Sequence, residues 1–138
     1  MPNRDLYHPC VKHALVRDGW HITHDPFSLK LGKKDMFVDL GAERFLAAEK
    51  QNIKIAVEIK SFIGASEVED LRNAIGQYIL HRAALKRFEL SRLLYLAIRE
   101  ITFIKIFEEE IGQALLEDEN VKLLIFSPEK EVVVRWID

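Results

Sequence analysis

Asp39, Glu58 and Lys60 are the residues of this chain whose types and spacing could perform phosphoryl chemistry. Phosphodiester hydrolysis needs oxygen ligands for a hard cation such as magnesium, which two carboxylates supply. It also needs an amine near the attacking water or the developing charge, which a lysine supplies. Glu58 and Lys60 stand two residues apart, so on a strand they point the same way at about 6 to 7 Å. Glu43 shares the alternating face of Asp39 but lies four residues on, roughly 13 Å away along a strand, too far to share its ion. Glu43 is therefore expected at the rim, or paired with Arg44 or Lys50. A solvated sheet face is the competing reading of the same residues. In a chain with 20 basic and 22 acidic residues, an acid, any residue, lysine triplet arises readily by chance. Its position carries the signal: it closes a strand whose other face is Ile53, Ile55, Val57 and Ile59, and it follows a second carboxylate on a similar run.

The elements that must position these groups are legible as alternation. Met36, Val38, Leu40 and Ala42 are expected to face one way, and Phe37, Asp39, Gly41 and Glu43 the other. Lys54, Ala56, Glu58 and Lys60 line the polar face of the next run. Two antiparallel strands joined by a turn over residues 49–52 bring Asp39 to the side of Glu58 and Lys60, provided the register brings them level. Upstream, a helix is expected from residue 4 or 5 to 18, with Pro9 delaying its start to about residue 8, and Gly19 ending it. Strands over 20–23 and 27–31 follow. Lys30, Lys33 and Lys34 then form either a phosphate-attracting patch near Asp39 or a charged hairpin tip.

Downstream of a loop over 61–66, Ser66 caps a helix to about residue 86, with Glu67, Glu69 and Asp70 suited to its first turn. Val68, Leu71, Ile75, Tyr78, Ile79, Arg82 and Leu85 are expected along one side. Gln77 and His81 lie on an adjacent stripe that can look back at the sheet, although an exposed helix residue is the preferred reading of Gln77. A strand over 93–98 parallel to residues 53–60 fits a helical crossover. A helix over 102–116, with Phe103, Ile106, Phe107, Ile111, Ala114 and Leu115 inward, or alternatively a strand start over residues 101–107, and strands over 121–126 and 131–137 complete the chain. The class is α/β: a central mixed sheet flanked by helices.

Composition bounds the function. The 138 residues suit one domain, and 49% hydrophobic with 30% charged residues describe a soluble globular chain. A net charge of −2 leaves little surface grip on nucleic acid, so DNA contact needs a local patch, a metal ion or a partner chain. A homodimer is expected, with the last strand around Arg135 and Trp136 as contact surface. One cysteine, Cys10, excludes an internal disulfide, and His8, His13, His21, His24 and His81 show no tight ligand spacing. The N-terminal stretch has no signal-type apolar run and no segment reaches membrane-spanning length, so a cytoplasmic setting without membrane is expected.

The segments DLYHPCVKHALVRDGWHITHDP, VDLGAERFLAAEK, KIAVEIKSFIG, AIGQYILHRAAL and VKLLIFSPEKEVVVRW resemble the XisH family across essentially the whole chain. These are cyanobacterial excision controlling factors for the fdxN element, a DNA segment removed by site-specific recombination. That family in turn resembles the restriction-endonuclease-like fold, whose nuclease motif is an aspartate after a proline, then acid, any residue, lysine on the next strand. The resemblance implies a magnesium- or manganese-dependent DNA endonuclease or nicking subunit, with Asp39 and Glu58 as metal ligands and Lys60 at the water or transition state. It also brings in Gln77, because branches of that superfamily place a helix glutamine beside the metal. Val38 stands where the fuller motif has proline. The same resemblance implies a second role, an accessory factor that does not cleave and that works through protein contacts with a XisI-like partner. A fold alone does not choose between them.

Overall fold

The computed structural model describes residues 4–138, so the first three residues of the N-terminal stretch lacking a signal-type run lie outside it. Helix α1, His8–Arg17, starts where Pro9 allows it. It ends in a Schellman pair, with Trp20 N–H donating to the Leu15 carbonyl and Gly19 N–H to Val16, both at 3.0 Å. Gly19 takes the left-handed φ of +93° that this cap requires. Strand β1, His21–His24, then leads to β2, Phe27–Leu31, and β3, Lys34–Val38, which pair as a hairpin in a sheet of their own.

Asp39 is where expectation and structure part. The run from Met36 to Glu43 is not one strand: the chain bends at Asp39 and re-enters as β4, Leu40–Leu46. Val38 and Leu40 consequently lie in different halves of the core, Val38 with Phe27 and Leu29, and Leu40 with Val11 and Leu15 of α1. The hairpin has apolar residues of its own to bury, and a straight strand would have held Val38 on the α1 face instead.

Strand β5, Gln51–Ile59, pairs antiparallel with β4 in the register Leu40 to Val57 through Leu46 to Gln51. Helix α2, Glu67–Phe88, is the crossover to β6, Arg92–Arg99, which runs parallel to β5. Ser66 Oγ accepts the Glu69 N–H at 3.2 Å, and Glu67, Glu69 and Asp70 fill the first turn. Its buried face is Ala74, Tyr78, His81, Ala84 and Leu85, rotated from the expected stripe; Val68, at 59% exposed, and Ile79 face solvent. The alanines let the helix lie close to the sheet, which outweighs burying the larger aliphatics on the neighbouring stripe.

The expected single helix over 102–116 is broken into α3, Glu100–Thr102, a π-helical turn Phe103–Phe107, and α4, Glu110–Asp118. Gly112 sits so tightly on that turn that a Cβ would come within 2.2 Å of the Phe107 Cα. Gln113 Nε2 donates to the Phe107 carbonyl at 2.7 Å, and Ile106 and Phe107 are buried as expected, whereas Ile111 is 58% exposed. Strands β7, Leu123–Ser127, and β8, Val132–Ile137, complete a six-stranded sheet ordered β1-β4-β5-β6-β7-β8, with β8 at one edge. One core cluster lies on the α2 side of this mixed sheet and the other on the α1 side.

Candidate functional site

Continuing the β4–β5 register one step beyond Leu40 and Val57 sets Asp39 level with Glu58. The bend at Asp39 aims its carboxylate across to β5, where Oδ2 accepts the Ile59 N–H at 2.7 Å. Glu58 shares the face of Ala56, toward α2, and is 6% exposed. A carboxylate so buried must be hydrogen-bonded, and the donor is His81 of α2, whose Nδ1 lies 2.7 Å from Glu58 Oε2. Lys60 follows directly after β5, and its backbone N–H donates to Ala97 at 3.2 Å, prolonging the parallel pairing. Its side chain is half-buried and makes no ion pair among the described residues. Asp39 and Glu58 thus lie level where β5 ends beside β6, with Lys60 directly after β5, at the carboxyl ends of the parallel strands, the usual position for ligands in such sheets.

Asp5 joins them. Its Oδ1 accepts the Tyr7 N–H at 2.9 Å and its Oδ2 the Ser61 N–H at 3.0 Å, which ties the approach to α1 onto the end of β5. The electrostatics show how crowded this corner is with negative charge. The Asp39 carboxyl is pushed up to about 6, chiefly by burial, with the charges of Glu58 and Asp5 adding to the rise. The Ile59 N–H and His81 act in the opposite direction.

Carboxylate oxygens are the ligands that hard cations take. Among the described residues no three His, Cys, Asp or Glu side chains converge to hold a metal by themselves. Asp39 Oδ1 and Glu58 Oε1 carry no hydrogen bond among the described residues, so each carboxylate keeps an oxygen to offer while the other is anchored.

Other expected features are placed elsewhere. Gln77 lies one turn before His81, exposed and without a hydrogen bond among the described residues; the α2 side chain that reaches Glu58 is His81. Glu43 pairs with neither Arg44 nor Lys50, because its Oε1 accepts from Asn52 Nδ2 at 2.7 Å, while Arg44 binds Asp18. Lys30, Lys33 and Lys34 stand at the tip of the β2–β3 hairpin, and Lys34 is separated from Asp39 by the length of β3, about 16 Å, so they form no patch beside it. His81 had one visible sign in the sequence, its stripe on α2. Asp5 had none, because its proximity depends on how the chain enters α1.

His81 is expected to act through Glu58. Replacing it with Phe leaves the buried carboxylate without its donor, which should cost about 1 to 3 kcal/mol of stability and weaken manganese binding about 10- to 100-fold. Thermal denaturation and calorimetric titration of the variant measure both effects; unchanged manganese affinity would separate His81 from the site.

The family profile described as XisH protein matches residues 1–134. A crystal structure of an XisH family protein from Nostoc punctiforme superposes with a TM-score of 0.87 at 38% identity, covering 97% of this chain and 100% of that one. The crystal structure of a fdxN element excision controlling factor protein from Anabaena variabilis superposes with a TM-score of 0.88, also at 38% identity, covering 98% of this chain and 100% of that one. No curated protein matches the chain. Among the described residues no helix is long and apolar enough to cross a membrane.

Proposed function

The chain belongs to the XisH family, and from that premise we propose that it is an excision controlling factor acting as a magnesium-dependent DNA endonuclease or nicking subunit on a restriction-endonuclease-like scaffold. The observation that carries this reading is the level placement of Asp39 and Glu58 across the β4–β5 register, with Lys60 two residues on and His81 holding Glu58. Such sheet-end carboxylates paired with a lysine suit phosphodiester hydrolysis. The Anabaena variabilis relative, named for excision of the fdxN element, supplies the setting: removal of a DNA segment.

Asp39 and Glu58 would hold the ion, which when bound offsets phosphate charge and lowers the cost of forming the attacking nucleophile. The chain's own groups do the rest. Ile59 N–H fixes the Asp39 carboxylate, His81 fixes that of Glu58, and the Lys60 ammonium, which ligates nothing, orients the attacking water or stabilises charge on the transferred phosphate. Purified protein, alone or with a partner chain, should therefore nick or cut DNA only with magnesium or manganese present. Lys60→Ala should keep most of the manganese affinity while losing on the order of 100-fold in rate. A Lys60→Ala protein as fast as wild type would remove the lysine from the reaction.

A second reading rests on the surface. Val68, Leu80 and Ile111 are each more than half exposed and the net charge is −2, which suits protein contacts better than a duplex. In that reading the chain controls a recombinase without cutting, in company with a XisI-like partner. A homodimer through the open edge of β8 is compatible with either role. Light scattering distinguishes it from a monomer of 16.0 kDa.

A further inference from the structure

Two residues beyond Lys60 the chain walls a cleft of about 420 Å³, bounded by the loop after β5 on one side and by α3 and the π-helical turn on the other. Arg99 and Lys105 line it, together with Phe62, Ile101, Thr102 and Glu67. The volume lies in the lower part of the range that small ligands occupy.

The cations of this cleft are not consumed by the fold. Arg99 Nη2 donates to the Ser61 carbonyl at 2.9 Å and its guanidinium lies over the Tyr7 ring, 5.2 Å from the centroid, so its position is set. Its Nε is buried with no hydrogen-bond partner, and neither Arg99 nor the exposed Lys105 forms an ion pair among the described residues. A guanidinium held in place, with its Nη1 outside the buried atoms and making no hydrogen bond among the described residues, is suited to a phosphate. Phe62 holds a φ of +54°, a left-handed backbone that costs free energy in a bulky residue, and such strain concentrates where a loop must keep a particular shape. Phe62 and Ile101 give the cleft apolar surface, while Glu67 sets a carboxylate among its lining residues. An anion alone uses only the cations. A molecule with a phosphate, a flat apolar body and amino donors uses every wall.

We propose that this cleft is a subsite for one nucleotide of a DNA strand, with its phosphate on Arg99 and Lys105 and its base against Phe62 and Ile101. The inference rests on the endonuclease reading for its place beside Asp39 and Glu58, since Arg99 is joined through Ser61 to the end of β5 that carries Lys60. A base can enter such a cleft only out of the stack, and leaving the stack costs least where the strand is unpaired or mismatched. The substrate class is thus DNA with unpaired nucleotides at the site of action.

The test uses dAMP and inorganic phosphate as probes, titrated separately into the metal-free full chain and followed by amide NMR shifts. Shifts centred on residues 62–64 and 99–106 with dAMP, and at least tenfold weaker binding of inorganic phosphate, are expected. Lys105→Glu, a change at an exposed position, should weaken dAMP about tenfold or more, as should Arg99→Gln. No dAMP binding at millimolar concentration, binding unaffected by Lys105→Glu, or equal affinity for phosphate and dAMP would each overturn the subsite. Binding that behaves as expected in a protein that never cleaves DNA would uphold the subsite and defeat the endonuclease reading alone. In a cleaving protein, wild type should prefer a single-stranded or mismatched oligonucleotide over a perfect duplex, and Lys105→Glu should lose that preference.

Discussion

Glu58→Gln should abolish metal-dependent cleavage, a loss on the order of a thousandfold, in a protein that remains folded. The amide keeps the size of the carboxylate and an oxygen for the His81 Nδ1, so the buried contact at 2.7 Å survives while the negative charge is removed. Without that charge the pair Asp39 and Glu58 is reduced to one anionic ligand, and manganese affinity should fall with the rate. The structure also changes which substitution is informative. From the sequence, Glu58 reads as a polar-face residue with little part in packing, for which alanine is the natural test. At 6% exposure with a histidine bonded to it, alanine would instead strand a buried imidazole and open a cavity, confusing lost chemistry with lost stability. Calorimetry with manganese, nicking assays and a melting curve on Glu58→Gln settle the matter together. A folded variant that still cuts at the wild-type rate would remove Glu58 from the metal site.

Asp39→Asn should inactivate the protein and yet stabilise it in the absence of metal. Burial and the neighbouring charges of Glu58 and Asp5 raise the Asp39 carboxyl from 3.8 to about 6. A carboxyl whose native value is raised lends stability through its protonated form. That contribution is fully present below 3.8 and is lost as pH rises through about 6, because the unfolded chain releases its proton first. Metal-free wild type should therefore lose about 2 kcal/mol between pH 4 and pH 7 through this group. Asparagine does not titrate, and its carbonyl can still accept the Ile59 N–H, so the variant should be spared that loss. Its melting temperature should exceed that of wild type by several degrees at pH 7 to 8, with the gap closing toward pH 4. Manganese should raise the melting temperature of wild type and leave the variant nearly unmoved. An Asp39→Asn protein less stable than wild type at pH 8 would contradict the burial argument. The stability held back at this position is what a site spends on keeping two carboxylates adjacent, a trade common where function and folding compete.

What the sequence by itself determined is local. Alternation in residues 51–59 defines β5, although the face of Ala56 and Glu58 that reads as polar is buried under α2; Ser66 with three acidic residues in the first turn begins α2, Gly19 ends α1, and a crossover of that length makes β6 parallel to β5. Each follows from short-range backbone preference and side-chain period, which neighbouring residues suffice to express. The level placement of Asp39 and Glu58 was legible from one hairpin, whereas the direction of the Asp39 carboxylate was not, because the chain bends there.

Only the tertiary structure decided the rest. Whether the chain ran straight through Asp39 depended on the β2–β3 hairpin needing Val38 for its own core, a competition between distant segments that no local pattern records. The face that α2 buries was chosen by how closely its alanines approach the sheet, which moved Val68 out and His81 in. Asp5 and Arg99 reach the end of β5 through Ser61, 56 residues from one and 38 from the other. Such contacts form because separate elements converge on the same end of one sheet, and their partners are set by packing rather than by spacing along the chain.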